Sequence, residues 1–154
     1  APEWKARKAP IGFRLARMPG ARSLKKWIAP RAMFESSLKT TLYDPAQVTP
    51  TMIDRYWELN RYPGNREATM RRFALAHNNH PASREQLATI KAPTLILWGQ
   101  EDNLVPVASA RWFQQALPGS RLIIYPRAGH VPMEEVADQS AKDVSEFLTE
   151  THVN

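Results

Sequence analysis

Two residues in the C-terminal part of the chain have the types and placement that proton-transfer chemistry requires. Asp102 and His130 each sit in a loop that follows a short, strongly apolar run. A histidine can take and return a proton near neutral pH. A carboxylate bonded to its second ring nitrogen fixes the tautomer and stabilises the imidazolium. An acid and a histidine on adjacent loops therefore suggest two parts of a nucleophile-base-acid triad. The nucleophile is missing from the residues around them.

The elements that must position this pair can be read on either side of it. Thr94–Trp98 (TLILW) is a continuous apolar run of the kind buried on both faces of a parallel sheet. Gly99 ends it, and Asp102 lies in the loop that follows. The pattern predicts a helix from about Pro106 to Leu117, closed by Pro118-Gly119. A second strand, Arg121–Tyr125 (RLIIY), stops at Pro126, and His130 follows between Gly129 and Val131. In open α/β sheets, ligands gather outside the carboxyl ends of the strands. Gly99 and Gly129 are expected to serve tight turns, and Trp98 to pack in the core. Beyond Pro132 a helix is predicted with Glu134 and Glu135 in its first turn, where the dipole favours negative charge. Val136, Ser140, Val144, Phe147 and Leu148 form its packing side, and Thr151–Asn154 a loose tail.

W-G-Q-E-D at 98–102, V-P at 105–106 and G-H-V-P-M-E-E at 129–135 resemble the C-terminal part of the α/β-hydrolase family, in particular its capped epoxide hydrolase, haloalkane dehalogenase and esterase members. In that family the chain order is nucleophile, acid, histidine, with the nucleophile on a G-x-S-x-G elbow. The resemblance makes Asp102 the acid and His130 the base. Glu101, one residue short of the family pattern, is the competing acid. The serines at 23, 36, 37, 83, 109, 120, 140 and 145 all lack the flanking glycines of the elbow. By the same resemblance the nucleophile precedes Ala1, on an N-terminal half of the enzyme that is a second chain or a further segment. The expected fold is thus α/β, a partial α/β-hydrolase fold. It comprises the last two parallel strands with flanking helices plus an all-helical cap, the first half of the sheet lying elsewhere.

The resemblance implies hydrolysis of a small or medium ester, or a related acyl bond, through a covalent intermediate. Alternatives of the same fold are epoxide, haloalkane or C–C bond hydrolysis, or a non-catalytic binding module, since fold alone never establishes activity. The expected partners are a small-molecule substrate and the N-terminal half. On its own the chain is expected to be inactive and to fold poorly. No cofactor is implied.

Residues 1–90 read as a helical cap, and residues 91–154 as core. Pro2, Pro10, Pro19, Gly20 and Pro30 punctuate short helices, with Ile11, Phe13, Leu15, Met18, Leu24, Trp27 and Ile28 as apolar contacts. A helix is predicted from Arg31 to about Leu42. Another starts at Thr49-Pro50, a hydroxyl N-cap before a proline at the first helical position. Its stripe is Met52, Ile53, Tyr56, Trp57 and Leu59. After a break at 62–65, a third runs from Arg66 to about His77 with Met70, Phe73, Ala74 and His77 on one side. Asn78–Pro81 interrupts the pattern, and Ser83 caps a short helix leading to Ile90. The cap aromatics and methionines, Trp27, Met33 and Phe34 among them, are expected mainly to form its small core.

Composition narrows the remaining classes. There are no cysteines, so neither a disulfide framework nor a thiolate metal site is possible. His77, His80 and His152 stand in no metal-ligand spacing, so no metal site is expected. No apolar run is long enough to suggest a membrane span, no signal-peptide pattern opens the chain, and a cytoplasmic setting is favoured. The net charge of +6 is unevenly placed: residues 1–91 carry 17 Lys and Arg against 7 Asp and Glu, residues 92–154 only 4 against 8. The basic residues are spread through helical patterns and match no nucleic-acid motif. A solvated basic face is expected, with neither nucleic acid nor membrane as partner.

Overall fold

The computed structural model describes residues 30–75 and 82–152. The apolar contacts expected at Ile11–Ile28 and the helix break at 78–81 lie outside the described residues. So do the side chains of Met70, Phe73, Ala74, His77, His80 and His152. The described residues fall into two compact units, one of 30–40 and 45–75, the other of 41–44 and 82–152.

Helix α1, Arg31–Thr41, belongs to the first unit through Thr40; it buries Leu38, with Lys39 paired to Glu35 one turn back. A 3₁₀ turn at Pro45–Gln47 leads to α2, Pro50–Arg61. Thr49 caps α2 as its sequence predicts: the hydroxyl accepts from Met52 N at 3.1 Å, and Pro50 costs no hydrogen bond at the first helical position. Ile53 is buried, but Leu59 is 54% exposed, contrary to the expected stripe. Leu59 lies six positions beyond Ile53, which at 3.6 residues per turn puts it well round the helix. Arg31 donates to Asp54, and that bond holds the Asp54 carboxyl below its ordinary range. Gly64, at φ +87°, makes the turn into α3, Asn65–Leu75.

The second unit carries the sheet. It opens with α4, Arg84–Ala88, whose Ser83 and Gln86 cap one another reciprocally. Strand β1 (Leu95–Gly99) and β2 (Arg121–Tyr125) pair in parallel, Leu95 opposite Arg121 and Gly99 opposite Tyr125. Between them α5, Ala108–Ala116, crosses back. It starts two residues later than the sequence suggested, the turn before it being closed by a shorter-range bond from Ser109 N to Pro106 O at 2.8 Å. Leu95–Trp98 and Leu122–Ile124 are only half-buried, where the apolar runs promised burial on both faces. The buried apolar residues of this unit are Leu42, Leu104, Ala110, Ala116, Leu117, Tyr125 and Ala128, which lie largely in the loops and the crossover helix.

The single helix expected after Pro132 is two: α6, Pro132–Glu135, and α7, Ala137–His152, separated by the non-helical Val136. Tyr125 Oη donates to Asp143 Oδ2 at 2.7 Å, and Gln139 donates to the other carboxylate oxygen at 3.0 Å. This buried network fastens α7 to the end of β2. Val144 and Leu148, expected to pack, are exposed. Thr151 and His152 continue α7 instead of forming a tail, and the Thr151 hydroxyl bonds back to Phe147 O at 2.9 Å. Among the described residues, no helix is long and apolar enough to cross a membrane.

Candidate active site

Because β1 and β2 are parallel and end level, the loops that leave them emerge side by side. The two loops are then tied together through the backbone. Gln100 N donates to Tyr125 O at 2.9 Å, and Glu101 N to Ala128 O at 3.0 Å. Gly99 and Gly129 permit this approach. A Cβ on Gly99 would lie 1.9 Å from Gly129 O and 2.3 Å from Ala128 O; one on Gly129 would lie 2.5 Å from Thr41 O. Neither glycine has a positive φ, so their role is close backbone passage rather than the tight turn the sequence suggested.

Asp102 organises its own loop. Its Oδ1 accepts from Leu104 N at 2.8 Å and Val105 N at 2.9 Å, an Asx-type turn. Trp98 supports the same loop, donating from Nε1 to Val105 O at 3.1 Å and leaning against Phe113. Asp102 Oδ2 is left free to face His130 Nδ1 at 2.8 Å. The Asp102 side chain is 3% exposed and that of His130 38%. A buried acceptor behind Nδ1 favours the tautomer that carries its proton there, leaving Nε2 as a proton acceptor. Glu101 turns elsewhere: its Oε2 accepts from Ala128 N at 3.3 Å. The structure therefore brings Asp102, and not the competing Glu101, to His130.

One residue at this site does more than its sequence context indicated. Glu135 closes the four-residue α6, and its carboxylate turns back onto the His130 loop. Oε1 accepts from Gly129 N at 2.8 Å and more weakly from Val131 N at 3.4 Å, while Oε2 accepts from Tyr43 N at 2.7 Å. His130 N itself donates to Thr41 O at 3.0 Å. The only sequence signal was an acidic residue just past a histidine, which points equally to a helix dipole. Among the described residues, no three His, Cys, Asp or Glu side chains gather as metal ligands would.

Both the sequence and the fold of the chain have matches among known proteins. The family model described as alpha/beta hydrolase fold matches residues 11–136. The chain belongs to the alpha/beta hydrolase family. It is 27% identical over 138 residues to a 2-hydroxy-6-oxononadienedioate/2-hydroxy-6-oxononatrienedioate hydrolase of Comamonas testosteroni, covering 85% of this chain and 47% of that protein. It is 36% identical over 56 residues to a pimeloyl-[acyl-carrier protein] methyl ester esterase of Nitrosomonas europaea, covering 36% and 22%. A solved serine hydrolase involved in carbazole degradation superposes with a TM-score of 0.70 at 21% identity, over 80% of this chain and 49% of that one, a likeness of fold. The chain spans less than half the length of the curated relatives it matches.

Proposed function

We propose that this chain supplies the acid and the base of a hydrolytic triad, Asp102 and His130, to an enzyme that cleaves a small or medium ester or related acyl bond. The 2.8 Å contact between a buried Asp102 carboxylate and a partly exposed His130 ring carries this proposal. His130 Nε2 takes the proton of a serine hydroxyl as that oxygen attacks the substrate carbonyl, and gives it to the departing alcohol. It then takes a proton from water as the water oxygen attacks the acyl-enzyme, and returns that proton to the serine oxygen as the bond to it breaks and the acid is released. Asp102 holds the ring and stabilises its charged form throughout.

The nucleophile and oxyanion hole belong to a segment preceding residue 1, in the same polypeptide or a separate one. This placement is supported by the family's chain order and by the fraction of each relative that is matched. The described helices of the first unit, α2 and α3, belong to a cap domain in this reading. A second chemistry, carbon–carbon bond hydrolysis, is favoured by the Comamonas relative, whose match runs along 85% of this chain.

Fluorophosphonate labelling of the protein that contains this chain, read by intact and peptide mass, tests the assignment. Label on a serine outside the 154 residues supports it, and label on one of the chain's own serines refutes it. An unlabelled protein that turns over substrate through His130 would have an aspartate nucleophile. Parallel assays on simple esters and on vinylogous diketones separate the two chemistries.

A further inference from the structure

We propose that Glu135 is the positioning residue of His130, acting as a carboxylate clasp that holds the histidine loop against the segment Thr41–Asp44. Its catalytic meaning rests on the triad assignment above; the clasp itself rests on geometry alone. Three consecutive amides, those of Gly129, His130 and Val131, meet acceptors on two sides. The flanking pair converges on Glu135 Oε1, and the central one reaches Thr41 O. Glu135 Oε2 is occupied by Tyr43 N, so one carboxylate joins both sides of the loop to the same strut. The strut is seated: Leu42 is buried, and Gly129 runs so close to it that an added Cβ would come within 2.8 Å of Tyr43 N.

The chemistry at position 135 must be a carboxylate of this length. Three N–H donors point at two oxygens, and every donor needs an acceptor. Glutamine would turn an NH₂ toward either Tyr43 N–H or Gly129 N–H, donor against donor. Aspartate, one methylene shorter, could not span from the loop to the strut. Asp102 fixes the ring from behind, at Nδ1. Glu135 fixes the backbone from which the ring projects, so the two control different degrees of freedom of one side chain.

Nuclear magnetic resonance and kinetics on the protein that contains this chain test the clasp. In the wild type, scalar couplings across the hydrogen bonds should join the Gly129 and Tyr43 amide nitrogens to the Glu135 carboxyl carbon. Absence of both couplings would overturn the proposal even if every variant failed to fold. In Glu135→Gln, kcat should fall about 10- to 100-fold with KM nearly unchanged, because misplacing a catalytic group by an ångström costs that order. The downfield Nδ1 proton of His130 should broaden, and exchange at amides 129–131 should accelerate while the β1 and β2 amides keep wild-type rates. Wild-type kcat, resonance and exchange in both Glu135→Gln and Glu135→Ala would refute the clasp. A clasp that behaves as stated while His130→Ala keeps full activity would sink the triad assignment instead.

Discussion

Asp102 does two jobs with two oxygens, and the difference between them yields a sharp prediction. An asparagine at 102 can keep Oδ1 on Leu104 N and Val105 N, preserving the loop. Its NH₂ then faces His130 Nδ1, which must become an acceptor, and the ring proton moves to the nitrogen that should receive one. With Asp102 as the acid of the proposed triad, turnover by the complete protein should fall by about 10⁴-fold with the fold intact, the loss known for a triad acid replaced this way. Steady-state kinetics on Asp102→Asn, beside an unchanged melting curve, measures it; a loss under tenfold would remove Asp102 from the triad. Gly99 sets the complementary case, stability without chemistry. Its would-be Cβ meets backbone oxygens at 1.9 and 2.3 Å, and backbone cannot swing aside as a side chain can. Gly99→Ala should therefore cost at least the roughly 1–3 kcal/mol typical of overpacking, read as a shift in the urea midpoint.

The elements were legible in the sequence wherever a local rule decided them. The apolar run at Arg121–Tyr125, the Thr49-Pro50 start of α2 and the Ser83 cap of α4 are all where the pattern put them. Asp102 and His130 were visible because glycine and apolar strands frame them. What stayed hidden depended on tertiary partners: the break at Val136, the backbone clasp of Glu135, and the passage of Gly99 against Gly129. For a locally determined element, Thr49→Ala should cost about 1 kcal/mol, the usual value for a lost N-cap, as measured by chemical denaturation. The tertiary link between β2 and α7 is tested through Tyr125. Tyr125→Phe leaves Asp143 Oδ2 buried without its donor, a loss of about 1–3 kcal/mol. Burial, and then the bond to Asp143, push the Tyr125 phenol above its ordinary pKa. The folded state thus holds a proton that the unfolded chain releases near pH 10. That stabilisation is complete below pH 10 and is lost as pH rises beyond it. The stability gap between wild type and Tyr125→Phe should therefore narrow above pH 10, and a gap that widened there would contradict the bond.

For the whole chain, the burial of the sheet matters more than its site. Strand β1 gives one hydrogen-bonding edge to β2, and among the described residues no strand occupies the other. Its apolar residues are only half-buried, although strands with such continuous apolar runs belong to sheets covered on both faces. An uncovered apolar edge invites pairing with whatever strand is available. The first half of the sheet, proposed to precede residue 1, is the partner that would satisfy both the edge and the faces. Expressed alone, the 154-residue chain should unfold over a broad range of denaturant, with a low slope, because the slope follows the surface that folding removes from water. It should also bind dyes that recognise exposed apolar surface. Joined to the missing half, it should unfold in one steep transition and lose the dye. A single sharp two-state calorimetric transition in the isolated chain, with no dye binding, would show that these residues complete a core by themselves, and the half-sheet account would have to be given up.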